Sequence, residues 1–502
     1  MRSACRPRGP LSALPPFLAS LVLSACSGPS EPPSGPPAPA GPEPAALAVP
    51  GPDASAALKL LTDDYFQSYL KTNPIAATAI GDNRYNDRLP NGFDPAIRAE
   101  RKAEAQAFLD RALEIDRAAL APDEQITYDV FVHGRRQAIE DAAWPSHLLP
   151  LSQFFSMPTF MAQLGSGQSL QPFATPEDYR NWLSRLEDYL VINDQMITNM
   201  REGMEQGLVQ PRVLMEKALP QLDALAVENV EDSVFLAPVR NIPDTVPEEE
   251  RAALEAEYRT FVAERLLPAF RTLRDFVATE YLPATRETVA WTALPGGDAW
   301  YEHLVRKQTT TDLSAAEIHA LGLEEVARIL DEMRAVKDDV GFDGDLAAFF
   351  DFLSSDPRFQ FESEEAAIQA YEDIRSKVTA ALPAVFEIFP KATYEIRPVE
   401  AFRAASSSGA SYQSASPDGS RPGIFYLNTY DLSRIPTYIT ESLSLHEAEP
   451  GHHFQGTIQQ EMTGLPDFRR FGDYYVAYGE GWALYAEYLG REMGLFTDPY
   501  QY

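Results

Sequence analysis

Cysteine is nearly absent: only Cys5 and Cys26 occur among 502 residues. Both lie at the very start, so the rest of the chain has no means of forming a disulfide and must be stabilised by packing. Basic residues are also short, 42 Lys and Arg against 74 Asp and Glu, for a formal net charge of −32. That surplus repels phosphate backbones and anionic lipid, and it excludes nucleic acid as a partner recognised by bulk electrostatics. Beyond the first 26 residues no apolar run approaches the roughly 20 residues of a membrane-spanning helix, so attachment to a membrane would need an anchor. Histidine is scarce too, and its 7 copies are uneven. His133, His147, His303 and His319 stand alone, whereas His446, His452 and His453 cluster.

The start of the chain has the layout of an export signal. Arg2, Arg6 and Arg8 precede an interrupted apolar stretch from Leu11 to Leu23, which ends in Leu23-Ser24-Ala25-Cys26. This ending resembles the bacterial lipoprotein signal, in which the cysteine is lipidated and becomes the first mature residue. Residues 1–26 are therefore expected to be a signal peptide with Cys26 as the lipidation site. Ser27, where an aspartate would favour the inner membrane, implies an outer-membrane anchor with the protein facing the periplasm. Residues 27–53 are dense in proline and small side chains, a tether that cannot bury a core. Residues 54–290 read as a helical N-terminal part and residues 291–502 as the part carrying the histidine cluster.

Helical signals dominate after the tether. Thr175-Pro176 followed by Asp178 is a helix start, with Tyr179, Leu183, Leu186 and Leu190 on one face. Ser314 to Glu317 forms a capping box, and Val326, Ile329, Leu330 and Met333 make a second apolar stripe, expected to be core. Two short strands are expected at 393–399 and 423–428, separated by a Ser/Gly-rich loop. Just before the histidine cluster, their edge could hydrogen-bond an extended peptide or could simply cover a core.

The stretch ESLSLHEAEPGHHFQ, residues 441–455, resembles a His-Glu-x-x-His zinc helix with Pro450 where the second histidine belongs. On a regular helix His452 would be rotated about 600° from His446, and His453 would lie about 10.5 Å along the axis, so neither could share an ion with it. Pro450 breaks the ladder at the His446 carbonyl and Gly451 accepts unusual backbone angles. A two-residue expansion would bring His452 to the second ligand position, with Glu447 placed as general base toward a zinc-bound water. A catalytic zinc needs a third protein ligand, and Glu480 in YGEGWALYAEYLG is the best candidate. Glu487, which shares a face with Glu480, Ala483 and Leu484, is the runner-up, or else a partner for a ligating histidine.

These residues resemble the bacterial family known as domain of unknown function 885, whose members carry an expanded H-E-x-x-P-G-H motif, here HEAEPGHHFQ. GDNRYNDRLP at 81, SPDGSRPGIFYLNTYDL at 416 and EGWALYAEYLG at 480 extend the likeness along the chain. The resemblance implies a mainly α, gluzincin-like metallopeptidase fold with a small β-sheet beside the active-site helix. It also implies one Zn2+ held by His446, His452 and Glu480, with Glu447 as general base. His453 is then a supporting or substrate-facing residue, as are Glu487 and Tyr478. The expected partner is a peptide or protein substrate; the alternative is a catalytically silent lipoprotein that binds peptides in the same groove. Relatives usually continue past the Glu480 helix, whereas this sequence stops at Tyr502, so the resemblance implies an incomplete C-terminus and weak activity.

Overall fold

The framework follows from the helix starts. Thr175 accepts from the N–H of Asp178, whose carboxylate accepts in turn from the Thr175 N–H at 2.8 Å, and Pro176 presets the first turn of the helix Pro176–Gln206. Gly207 ends it at φ 74°, a left-handed conformation that costs a glycine little. Pro95 and Pro122 open the helices Pro95–Leu113 and Pro122–Asp141 in the same way. A computed structural model describes residues 52–405, 407–419 and 421–502. The expected signal peptide with Cys26 and nearly all of the expected tether lie outside the described residues.

Tyr179, Leu183 and Leu186 are buried as the sequence pattern requires, and Leu190 packs against the same core. That core is shared with the helices Arg212–Leu225, Glu248–Phe261 and Leu267–Phe276. A second core joins Leu61 and Phe66 of Pro52–Thr72 to Phe108, Phe131 and, from far along the chain, Phe468. Phe131 meets Phe468 edge-on at 5.4 Å. Each such buried side chain contributes about 1.5–3 kcal/mol. The N-terminal helices thereby brace the segment between the two halves of the candidate site.

The sheet has three strands, β1 (Tyr394–Pro398), β2 (Ala410–Gln413) and β3 (Gly423–Leu427), in the order β1-β3-β2. β1 runs parallel to β3, with Tyr394 beside Gly423, and β2 runs antiparallel to it, with Tyr412 beside Phe425. The expected strands at 393–399 and 423–428 are present. β2 is new, and it occupies part of the Ser/Gly-rich loop. β3 is buried along its whole length, and the helix Glu364–Ala381 packs between the sheet and the helix Thr440–Glu447, through Tyr371 on one side and Ile374 and Val378 on the other.

One expectation about burial is overturned. The capping box at Ser314 and Glu317 does open a helix, Ala315–Asp339, but its apolar stripe is not core: Val326 is 53% exposed and Ile329 and Met333 each 39%. Helical periodicity identifies an apolar face and says nothing of whether another element reaches it. The described residues form one compact unit, mainly helical, and among them no helix is long and apolar enough to cross a membrane.

Candidate metal centre

The helix Thr440–Glu447 stops one residue after His446, and a second helix, His452–Glu461, starts at the next histidine. The turn between them solves the spacing problem. Pro450 has no N–H to offer, and the Phe454 N–H reaches back six residues to the Ala448 carbonyl at 3.2 Å. Gly451 is required by close approach, since a Cβ there would sit 1.9 Å from the His446 carbonyl oxygen. The Trp482 indole donates to the Pro450 carbonyl at 2.7 Å and ties this turn to the helix Val476–Leu489, which carries Glu480. The rings of His446 and His452 end up perpendicular, with centroids 4.9 Å apart.

Glu480 completes the constellation. Its Oε2 lies 3.5 Å from His446 Nε2 and 3.5 Å from His452 Nε2. One ligand atom from each of the three residues falls within a group no more than 4.8 Å across. Ligands about 2.0–2.1 Å from a tetrahedral ion are roughly 3.4 Å apart, so the donor set and the spacing fit zinc. The other carboxylate oxygen of Glu480 accepts from the Tyr474 hydroxyl at 2.9 Å, which fixes Oε2 toward the histidines. Gly479 makes room for this contact, because a Cβ there would meet the Tyr474 hydroxyl at 2.2 Å. The side chains of His446 and His452 are 20% and 16% exposed and that of Glu480 45%, so the cluster is open on one side.

Glu487, one helical repeat beyond Glu480, bonds His446 Nδ1 at 2.7 Å. A carboxylate on Nδ1 keeps that nitrogen protonated and leaves Nε2 as the free donor. The hydrogen bond that His446 donates to Glu487 is also the main reason why the His446 pKa is raised. Replacing Glu487 by Gln is expected to weaken zinc binding by about 10–100-fold, measured by competition with a chromophoric chelator. An unchanged affinity would mean that ring orientation is set elsewhere.

Glu447 is buried beside His446, and desolvation pushes its carboxyl up to about 7 despite the opposing pull of His446. Burial lowers the pKa of His452 and raises that of Tyr474. His453 faces elsewhere. It is 1% exposed, its Nδ1 bonds the Tyr412 hydroxyl at 2.7 Å, and its ring lies 4.7 Å from that of Tyr394. Burial and the nearby Arg375 hold its pKa down to about 4. Tyr478 is 61% exposed and makes no hydrogen bond with the cluster.

The structure thus brings His446, Glu447, His452, Glu480 and Glu487 together, and sets His453 into the sheet and Tyr478 into solvent. Sequence reasoning missed Trp482 and left Tyr474 without a role. The signal for Tyr474 was Gly479, a small residue beside a candidate ligand that marks a close approach.

A crystal structure from Colwellia psychrerythraea, of a protein described as a candidate lipoprotein, has the same fold, with a TM-score of 0.80 and 24% identity over 89% of this chain and 80% of that one. No curated protein matches this chain significantly. Residues 74–502 match the family described as bacterial protein of unknown function, DUF885, and the chain belongs to that family.

Proposed function

We propose that this chain is a zinc-dependent, metallopeptidase-like lipoprotein that hydrolyses peptide bonds on a gluzincin-like scaffold. The observation that carries the reading is the approach of Glu480 Oε2 to both His446 Nε2 and His452 Nε2 at 3.5 Å, with Glu447 next in sequence to the first of them. Two imidazoles and one carboxylate are the donor set of a catalytic zinc with an open position, not of a closed structural site. Bound there, the ion supplies Lewis acidity to the scissile carbonyl and to the attacking water. Glu447 takes the proton of that water as the C–O bond forms, then delivers it to the departing amine as the C–N bond breaks. Glu487 and Tyr474 hold the ligands in register. β2, an edge strand packed against both histidine helices, offers main-chain groups to an extended peptide.

The test is digestion of a broad peptide library followed by mass spectrometry. Cleavage that is lost on chelation and regained with zinc supports the reading. Peptides bound but never cut would make this a catalytically silent peptide-binding lipoprotein. For the anchor, the Cys26→Ala protein is expected in the soluble envelope fraction, since a lipid chain on Cys26 is the attachment proposed. Its recovery with outer membranes would refute that anchor.

A further inference from the structure

Two adjoining cavities, of about 370 and 390 Å³, form a groove beside the cluster and share Arg101, Ala138 and Asp141 in their walls. Tyr474 joins the groove to the candidate metal centre, since it lines the first cavity and its hydroxyl bonds Glu480. The second cavity is lined by Arg98, Arg101 and Lys102, which recur at i, i+3 and i+4 on the helix Pro95–Leu113 and so share a face.

The charges in this groove do not cancel. Asp473 is engaged by Arg135 at 3.2 Å and Asp141 by His303 and Lys307 at 2.8 and 2.7 Å, whereas Glu104 accepts from the neutral Ser68 and keeps a charge that acts on Arg101. Arg98, Arg101 and Lys102 make no ion pair among the described residues; Arg101 donates to the Thr72 carbonyl. Arg135, 8% exposed and lying 4.0 Å over the Tyr65 ring, keeps a buried Nε without a partner. His147 at the far end has a buried Nδ1 in the same condition. Desolvation lowers the pKa of Arg101, a cost that a bound anion would remove.

A chain of net charge −32 that sets three cations without a close ion pair against the one carboxylate of Glu104 in a single groove departs from its own average there, and concave walls focus such a field. We infer that the groove binds the carboxylate side chains of an acidic peptide, with the scissile segment at the metal centre and its Asp or Glu residues along Arg98, Arg101 and Lys102. This rests on the peptidase reading for the register of the peptide but not for its binding.

The test uses zinc-loaded Glu447→Gln protein, which holds peptide without turnover, and titration calorimetry with a Glu-rich decapeptide and its Gln-for-Glu counterpart. The acidic peptide is expected to bind about tenfold or more tightly, with the difference falling as salt rises. The double variant Arg98→Ser/Lys102→Ser removes half-exposed and exposed cations that hold nothing else in place, and it should abolish the preference while thermal stability is kept. Equal binding of the two peptides, or a preference that survives the double variant, overturns the inference. So does inorganic phosphate binding at these residues more tightly than the acidic peptide. Preference without cleavage by the unmutated protein would retain the groove and sink the peptidase reading, whereas cleavage without preference would do the reverse.

Discussion

Zinc affinity is expected to fall roughly a thousandfold in His446→Ala, His452→Ala or Glu480→Ala protein, and to stay within about tenfold in His453→Ala, by competition titration. A protein zinc site is worth about 10–16 kcal/mol in favourable cases, and losing one ligand of three or four removes some 3–4 kcal/mol of it. His453 carries no such share, because its Nδ1 is committed to Tyr412 and its ring lies against Tyr394. Its loss should appear as stability, about 2–4 kcal/mol for an emptied buried site and an orphaned tyrosine hydroxyl, read by chemical denaturation of metal-free protein. Equal loss of zinc in the His452 and His453 variants would mean that the turn at Pro450 presents the other histidine.

The reach of the sequence here was uneven for physical reasons. His446 and His452 were legible as a pair because a proline and a glycine between them have few uses other than breaking a helix, and the chain does break there, from Ala448 to Gly451. Glu480 and Glu487 were not separable by spacing, since seven residues return to the same helical face. What separates them is where the turn sits along their helix, a position fixed by the Trp482 bond to Pro450. β2 was invisible because Ala410–Gln413 is too short for alternation to register and is held by its pairing with β3. The stripe at Val326 read as core because period reports amphipathicity, and its exposure is a tertiary fact.

Glu447→Gln protein is expected to cut peptides about 100–10,000-fold more slowly while binding one zinc ion as tightly as before. The amide has the shape of the carboxyl, so the buried position beside His446 stays filled, but it cannot accept the proton of the attacking water. Single-turnover kinetics on a library-derived peptide, with zinc measured on the same sample, separates the two effects. Zinc lost together with activity would mean that Glu447 organises the site and carries no proton.

The proposed chemistry requires one ion held by His446, His452 and Glu480. Anomalous diffraction on either side of the zinc edge, from crystals grown with zinc, tests it most directly. The expected map has one peak about 2.0–2.2 Å from Nε2 of both histidines and from a Glu480 carboxylate oxygen, with Glu487 still on His446 Nδ1. A peak ligated by His453 or Glu487 in place of His452 or Glu480, or no peak near the cluster with zinc in excess, would contradict it.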